Sequence, residues 1–176
     1  MSHVYVLVEH EAGALSPVTA ELITAARPLG AVSAVVVSES PQGFEAELGA
    51  LGAAQVVEAT AADYANRIIL PEVDALHALG AANPAPIVIA ATPAGNEIAG
   101  RVAARLASGA LADVDLINAD LTAQQTIFGG STRVIASAVG ACPVFTMRPG
   151  AVKADPQPAP GELAPMPLHA ATNRDA

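Results

Sequence analysis

The stretch Val4-Tyr5-Val6-Leu7-Val8, close to the start of the chain, is apolar at every position. A strand with one solvent-exposed face alternates apolar and polar residues, whereas a strand covered on both faces is apolar throughout. The stretch Ile87-Val88-Ile89-Ala90-Ala91 has the same character. We therefore expect both stretches to be inner strands of a mainly parallel sheet with helices on both faces.

Helical and strand-like segments alternate around these two stretches. Ser16 and Pro17 have the residue types of a helix start, and apolar residues then recur at helical spacing until Gly30. The next segments indicate a strand, a short helix, a strand, a long helix, the second buried strand and a helix, over residues 32–37, 44–51, 55–58, 64–79, 87–91 and 97–108. Pro71 predicts a break or kink in the long helix. The order predicts an α/β fold with three layers, αβα.

The pattern changes after Gly109, where strands follow one another without helices between them. Residues 114–118, 125–128, 133–138 and 144–147 have this character and predict a strand-rich C-terminal extension. From Pro149 onward prolines recur with little apolar periodicity. We therefore divide the chain into a domain over residues 1–150 and a proline-rich linker or docked arm over residues 151–176.

Composition and charge exclude several classes of protein. The chain of 176 residues has a net charge of −9 and only eight Lys and Arg, which opposes binding to nucleic acid. The apolar stretches end well before the ~18 residues that a membrane-spanning helix needs, so we expect no direct membrane insertion. A secretory signal has Lys or Arg before its apolar segment, but none precedes the first apolar stretch here. We therefore expect a cytoplasmic protein.

A glycine-rich segment, Gly95 to Val102, follows a predicted buried strand and opens a predicted helix, which is the context of a phosphate-binding loop. Arg101 and Val102 replace the lysine and the hydroxyl that such a loop needs, and Glu97 puts a carboxylate near the phosphate position. Nucleoside-triphosphate hydrolysis is therefore disfavoured. A solvent-exposed stripe of Glu97, Arg101 and Arg105 is the better interpretation of this helix.

Other potential sites are weak. The four histidines are scattered, and the single cysteine, Cys142, precedes an apolar strand, so we expect no metal site and a thiol that serves packing. We find no pair of nucleophile and base and therefore no catalytic residue of a small hydrolase or transferase. The glycines of Phe128-Gly129-Gly130-Ser131 indicate a tight turn or bulge, or the close approach of another subunit.

Five ordered segments together resemble the α subunit of the electron transfer flavoproteins over essentially the whole chain. They are Val6 to His10, Thr19 to Arg27, Ala94 to Leu106, Phe128 to Gly130 and Thr146 to Gly150. The resemblance implies an adenine-nucleotide-hydrolase-like fold. It also implies a heterodimer with a β subunit that uses FAD to carry electrons from dehydrogenases to a quinone oxidoreductase, an electron carrier rather than an enzyme.

In that family the flavin is held mainly by a second α-subunit domain, which would follow this chain. Ala170 to Ala176 resembles the junction ahead of that domain. We expect FAD in the intact protein but no cofactor-binding residue in this chain, which would serve as a scaffold. The proline-rich arm and four residues are candidates for contact with the β subunit: Phe128, Gly129, Gly130 and Arg148.

The resemblance leaves one further pocket to consider, because open α/β sheets bind ligands at the carboxyl ends of their strands. Here that pocket would be bordered by Glu9, His10, Thr92, Gly95 and Asn96. Pro93 has no N–H and Glu97 is expected in the first helical turn, so we expect a vestigial site. The alternative is a stand-alone adenine-nucleotide-binding module of the universal-stress type, although its glycine pattern after the fourth strand is absent.

Overall fold

A computed structural model describes residues 2–169 of the chain. The strands are β1 (His3–Leu7), β2 (His10–Glu11), β3 (Ala14–Leu15), β4 (Ala31–Ser38), β5 (Gln55–Thr60), β6 (Ile87–Ala90), β7 (Ala110–Val114), β8 (Leu116–Ile117), β9 (Thr122–Ile127), β10 (Thr132–Ser137), β11 (Val144–Met147) and β12 (Glu162–Pro167). The α-helices are α1 (Val18–Ala26), α2 (Glu45–Leu51), α3 (Leu70–Ala82) and α4 (Pro93–Arg105). Short 3-10 turns occupy Arg27–Leu29, Tyr64–Asn66 and Phe128–Gly130.

A seven-stranded sheet forms the middle of the molecule, in the order β12-β5-β4-β1-β6-β11-β7. Each adjacent pair in it runs parallel. The strands β1 and β6, which contain all but the last residue of the two apolar stretches, lie inside the sheet, and those residues are buried. The predicted mainly parallel sheet is therefore confirmed.

Two apolar cores cover the two faces of this sheet. Val4 and Val6 of β1 belong to one core with α1 and α2, whereas Tyr5 and Leu7 belong to the other core with α3 and α4. Successive strand residues point to opposite faces, so β1 contributes to both cores in turn. The result is the predicted three-layer αβα arrangement.

The starts of three helices differ from the sequence prediction. Residues 64–79 do not form one helix, because Ile69 has a left-handed backbone and α3 begins at Leu70, with Pro71 in its first turn. Proline fits there because the first helical N–H groups need no intrahelical partner, so no kink arises. Pro17, not Ser16, precedes α1, and the structure gives Ser16 no capping side-chain hydrogen bond.

The fourth helix, α4, begins at Pro93 rather than at Glu97 and ends at Arg105 rather than at residue 108. Thr92 caps it, because its side-chain oxygen accepts a hydrogen bond from the Gly95 N–H at 3.0 Å. Ala107 then has a positive φ of 48°, which ends the helical geometry. The glycine-rich segment is thus part of the helix rather than a loop ahead of it.

The strand-rich part after α4 is divided between two sheets. The predicted bounds of a strand over residues 114–118 are wrong, because one strand, β7, ends at Val114 and another, β8, begins at Leu116. Strands β7 and β11 join the large sheet, and β8, β9 and β10 form an antiparallel sheet of three strands, here called the small sheet. A hairpin of β2 and β3, which the sequence did not predict, projects after β1.

The arm, residues 151–169, lies along the surface of the domain. Asp155 N–H donates to the Thr24 hydroxyl oxygen of α1 at 3.0 Å, and Ala159 N–H donates to the Gly49 carbonyl of α2 at 2.8 Å. The chain then forms β12, which pairs in parallel with β5. Residues 170–176, which include the proposed junction, lie outside the described residues.

Strand β12 has a defined orientation of its backbone groups. Glu162 N–H donates to the Ala54 carbonyl and Leu168 N–H donates to the Thr60 carbonyl. In a strand, the backbone N–H and C=O groups of every second residue point to the same side. In β12 the backbone groups of the even-numbered residues therefore face β5. The backbone nitrogens of Leu163, Pro165 and Pro167 therefore point away from the sheet.

Among residues 2–169, no helix is long and apolar enough to cross a membrane.

Candidate functional site

A cleft of about 600 Å³ lies at the carboxyl ends of β1 and β4, below the start of α4. Glu9, His10 and Thr92 line it, so the structure brings these three of the five proposed pocket residues together. Gly95 and Asn96 are not among the residues that line the cleft. The side chains that sequence reasoning missed there, Tyr64 and Glu72, come from the segment before α3 and from its first turn.

Gly95 and Asn96 serve the packing of α4 instead. A Cβ atom on Gly95 would collide with the Ala90 carbonyl oxygen of β6, so only glycine lets the helix approach the strand this closely. Asn96 points towards β11, where its side-chain oxygen accepts a hydrogen bond from the Thr146 hydroxyl at 2.6 Å. Both residues therefore act between the helix and the sheet.

Several polar side chains of the cleft form hydrogen bonds within the protein. The Thr92 hydroxyl donates to Glu9 at 2.9 Å, and His10 Nε2 donates to the Val37 carbonyl at 2.9 Å. On the opposite wall, the Tyr64 hydroxyl donates to Glu72 at 2.9 Å. Burial, together with the neighbouring Glu72 carboxylate, raises the pKa of Tyr64 well above its usual value. The cleft thus presents carboxylates and a neutral phenol.

This arrangement does not fit the diphosphate of a flavin or a nucleotide. An anion at a helix start needs free backbone N–H groups, but Pro93 has none and the Gly95 N–H is already bound by Thr92. The Glu9 carboxylate also lines the cleft. The prediction that Glu97 lies in the first turn of α4 is wrong, because that turn is Pro93-Ala94-Gly95-Asn96 and Glu97 follows it.

The second candidate region is the turn between β9 and β10. Phe128 has 80% of its surface exposed and a φ of 51°, and Gly129 and Gly130 follow with φ of 64° and 94°. Three consecutive left-handed residues are rare unless glycines supply them. The Ser131 hydroxyl closes the turn by donating to the Phe128 carbonyl at 2.9 Å. The turn therefore holds an exposed aromatic side chain on a defined backbone.

Arg148, the fourth proposed contact residue, follows β11 and binds carboxylates of its own chain. Its guanidinium donates to Asp113 at 2.7 and 3.1 Å and to Asp115 at 2.7 Å. It also donates to the Thr126 carbonyl at 3.3 Å. The hydrogen bonds from Arg148 hold the pKa of Asp113 below its usual value. Arg148 thus ties the end of β7 to β9 of the small sheet.

The remaining residues singled out by the sequence lie elsewhere. Cys142 is buried, and its Sγ lies 3.5 Å from the Gly80 carbonyl, as a packing role predicts. Arg101 pairs with Glu97 at 2.7 Å on the exposed side of α4, whereas Arg105 pairs with Asp74 of α3. Within residues 2–169 no three His, Cys, Asp or Glu side chains are grouped as a metal site would require.

Comparisons with known proteins extend this picture. The family model described as "Electron transfer flavoprotein domain" matches residues 4–173. The chain is 44% identical over 179 residues to "Electron transfer flavoprotein subunit alpha" of Mycobacterium tuberculosis (strain CDC 1551 / Oshkosh), covering 100% of this chain and 56% of that protein. It is 46% identical over 169 residues to the protein of the same name from Mycobacterium leprae (strain TN), covering 92% of this chain and 52% of that protein. The chain therefore spans about half the length of the curated relatives it matches.

Proposed function

This chain belongs to the electron transfer flavoprotein family, and from that membership we propose that it is the N-terminal domain of an α subunit. Its role is that of a scaffold: it binds the β subunit and orients the part of the protein that carries the flavin. The domain contributes no catalytic group of its own. The intact complex is an electron carrier.

The observation that carries this proposal is the exposed Phe128 in a turn closed by Ser131. A large aromatic side chain that is held in the open by its own backbone is typical of a protein contact. Gly129 and Gly130 make the left-handed turn possible, which explains why two glycines follow Phe128. In the cleft beside Glu9, by contrast, Pro93 supplies no N–H, the Gly95 N–H is bound to Thr92, and a carboxylate lies in the lining.

For the intact protein, we propose that FAD is bound outside residues 2–169 and that dehydrogenases reduce the complex. A quinone oxidoreductase or a comparable acceptor then removes the electrons. We place this activity in the cytoplasm. Since the family match covers residues 4–173, a stand-alone nucleotide module of the universal-stress type is not favoured.

The test compares the chain alone with the chain mixed with the β subunit of the same complex. We expect the chain alone to be colourless after gel filtration, because the groups that line the cleft do not suit a flavin. We expect it to elute together with the β subunit when the two are mixed. Stoichiometric FAD that remains on residues 1–176 alone would contradict the scaffold role, as would failure to bind the β subunit.

A further inference from the structure

A second cavity of about 450 Å³, here called the amino-end groove, lies at the amino ends of four strands of the large sheet. The first residue of each of these strands lines it: His3 of β1, Ala31 of β4, Gln55 of β5 and Glu162 of β12. The last turn of α3 and Asn83, which follows it, form another wall. Because the strands run parallel, this groove and the cleft beside Glu9 lie at opposite edges of the sheet.

The floor of the amino-end groove is a row of polar side chains that are in register across the sheet. Tyr5 of β1 pairs with Ser33 of β4, Ser33 pairs with Gln55 of β5, and Gln55 pairs with Glu162 of β12. Residues in register on neighbouring strands present their side chains to the same face of the sheet. Here it is the face that α3 covers, because Tyr5 belongs to that core. Hydroxyl, amide and carboxylate groups therefore stand side by side.

Two polar groups at this groove lack a hydrogen-bond partner among residues 2–169. Ser33 has only 7% of its surface exposed, and its hydroxyl forms no hydrogen bond to any of these residues. The His3 ring lies edge-on to Tyr5, with 5.0 Å between the ring centres, and its Nε2 is buried without a partner. A buried polar group without a partner lowers stability, so two of them at one groove indicate a bound molecule that completes their hydrogen bonds. Gln55 and Glu162 are exposed, and such a molecule can enter from solvent on their side.

The electrostatics of the groove favour a cation. Glu162 brings a carboxylate, and α3 ends here with its carbonyl groups, which form the negative end of the helix dipole. The Tyr5 hydroxyl donates to the Asn83 carbonyl at 3.1 Å, so it is turned towards the helix end. Within the described part of the chain, no Lys or Arg lines the groove. An anion would therefore meet the Glu162 carboxylate and no Lys or Arg to balance it.

Apolar groups border the polar row and limit what kind of cation fits. Leu79 of α3 and three alanine side chains line the walls of the groove. A short methylene chain would pack against them, whereas a bare metal ion would gain nothing from them. A primary ammonium has three N–H donors, which match the Ser33 hydroxyl oxygen, the Gln55 side-chain oxygen and the Glu162 carboxylate. The lining thus suits an ammonium group on an aliphatic stem.

We propose that the amino-end groove binds a small primary amine in its ammonium form. Glu162 supplies the charge, Ser33 and Gln55 supply further acceptors, and the aliphatic stem lies against Leu79. The role is recognition of a ligand, with no chemical step. This inference does not depend on the proposed scaffold function.

The experiment titrates the unaltered chain with putrescine, a short aliphatic diamine, and measures the dissociation constant by calorimetry. We expect a constant below about 1 mM. Glu162→Gln should weaken binding by about fivefold, because a neutral acceptor replaces a charged one. Ser33→Ala should weaken it by about threefold without destabilising the fold, since it removes a buried hydroxyl that has no partner in the protein. The matched control is Glu47→Gln, at an exposed carboxylate of α2, which should change the constant by less than about twofold.

Further titrations separate a specific site from general attraction between an amine and an acidic chain. The neutral n-butanol and the anionic butyrate should not bind measurably. Equal weakening by Glu47→Gln and Glu162→Gln would overturn the site, as would the absence of any binding to the unaltered chain. Nuclear magnetic resonance of the unaltered chain gives an answer that does not depend on variant folding. The amide signals of Ser33, Gln55 and Glu162 should shift with putrescine, and shifts confined to other residues would overturn the proposal.

An ammonium group can also come from a lysine of the β subunit, so the titration is repeated on the complex of the two proteins. Retained binding supports a free amine as the ligand. Loss of binding in the complex alone would assign the groove to a side chain of the partner and overturn the free amine. Because the first titration needs no partner, failure of the two proteins to associate would refute the scaffold function and leave the groove to be judged by the chain alone.

Discussion

Ile89 shows how much the stability of the domain depends on single side chains in the middle of its sheet. It is fully buried in β6 and belongs to the core shared with α3 and α4. Ile89→Ala should lower the free energy of unfolding by about 2–5 kcal/mol, because it loses apolar burial and leaves a cavity. Leu7→Ala in β1 should have an effect of the same order.

Denaturant titration measures both effects, with Ile68→Ala as the control. Because Ile68 is mostly exposed, its truncation should change stability by no more than about 0.5 kcal/mol. Unchanged stability in both core variants would show that β1 and β6 are not the buried centre of the sheet.

The ion pair of Arg148 and Asp113 makes part of the stability depend on pH. Hydrogen bonds from Arg148 lower the pKa of Asp113 in the folded state below its usual 3.8. A carboxyl group with a lowered folded pKa stabilises the fold above its unfolded pKa, and this stabilisation is lost as the pH falls through the folded pKa. The effect should be small because both side chains are partly exposed.

We therefore expect the chain to melt at a higher temperature than its Asp113→Asn variant near pH 7, by a difference that begins to shrink near about pH 4 and disappears as the pH falls through the lower folded pKa of Asp113. Arg148→Gln, compared in the same buffers, should show the same convergence. Thermal melts between about pH 7 and pH 3 provide the measurement. A difference that grows as the solution becomes more acidic would contradict the assigned pKa direction.

The packing of the arm against α2 depends on a glycine. Gly161 has a φ of 62°, and a Cβ atom there would lie 2.5 Å from the Glu45 carbonyl oxygen of α2. Gly161→Ala should therefore loosen the arm and increase cleavage within residues 151–161 by an added protease. Gly150→Ala is the control, because Gly150 has a similar φ of 79° but nothing within 4 Å of the added atom. Equal cleavage of the two variants would show that contact with α2 does not hold the arm.

The elements that could be predicted from sequence are those whose residue types match their burial. β1, β6 and β11 are short apolar stretches, and all three are buried strands in the large sheet. β12 could not be predicted in the same way, because Pro165 and Pro167 are unusual in strands and its edge position tolerates them. The predicted starts of α3 and α4 are wrong because Pro71 is interpreted as a break within a helix and residues 92–96 as a loop, whereas Pro71 and Pro93 both lie in first turns.

For the molecule as a whole, the cleft at the carboxyl ends of the strands determines whether it can bind a nucleotide. We expect AMP to bind no more tightly than about millimolar, a free energy of only ~4 kcal/mol. Pro93 lacks a backbone donor, and the Glu9 carboxylate would lie near the phosphate. Calorimetry measures the affinity for AMP directly. The same measurement on Glu9→Gln shows how much of the loss of affinity comes from repulsion between the Glu9 carboxylate and the phosphate. Micromolar affinity of the unaltered chain would restore the nucleotide-module interpretation.

The composition of the cleft was only partly accessible from sequence. Glu9, His10 and Thr92 could be grouped because each directly follows a predicted parallel strand, and such strand ends share one edge of a sheet. Tyr64 and Glu72 could not, because the sequence predicts a helix over residues 64–79 with its break or kink at Pro71, and not a separate segment that ends before Leu70. The left-handed backbone at Ile69 separates them into two segments that both turn towards the cleft.

Strand β12 ends the large sheet, and its orientation affects how copies of the protein can meet. Its three outward backbone nitrogens belong to Leu163, Pro165 and Pro167, and only the first carries a hydrogen. An incoming strand from another molecule would find acceptors along this margin but almost no donors to complete a ladder. Because the prolines remove these donors, we expect them to limit edge-to-edge pairing between molecules, which is the kind of contact that builds amyloid. The arm that contacts α1 and α2 therefore also makes this edge of the sheet a poor template for strand addition.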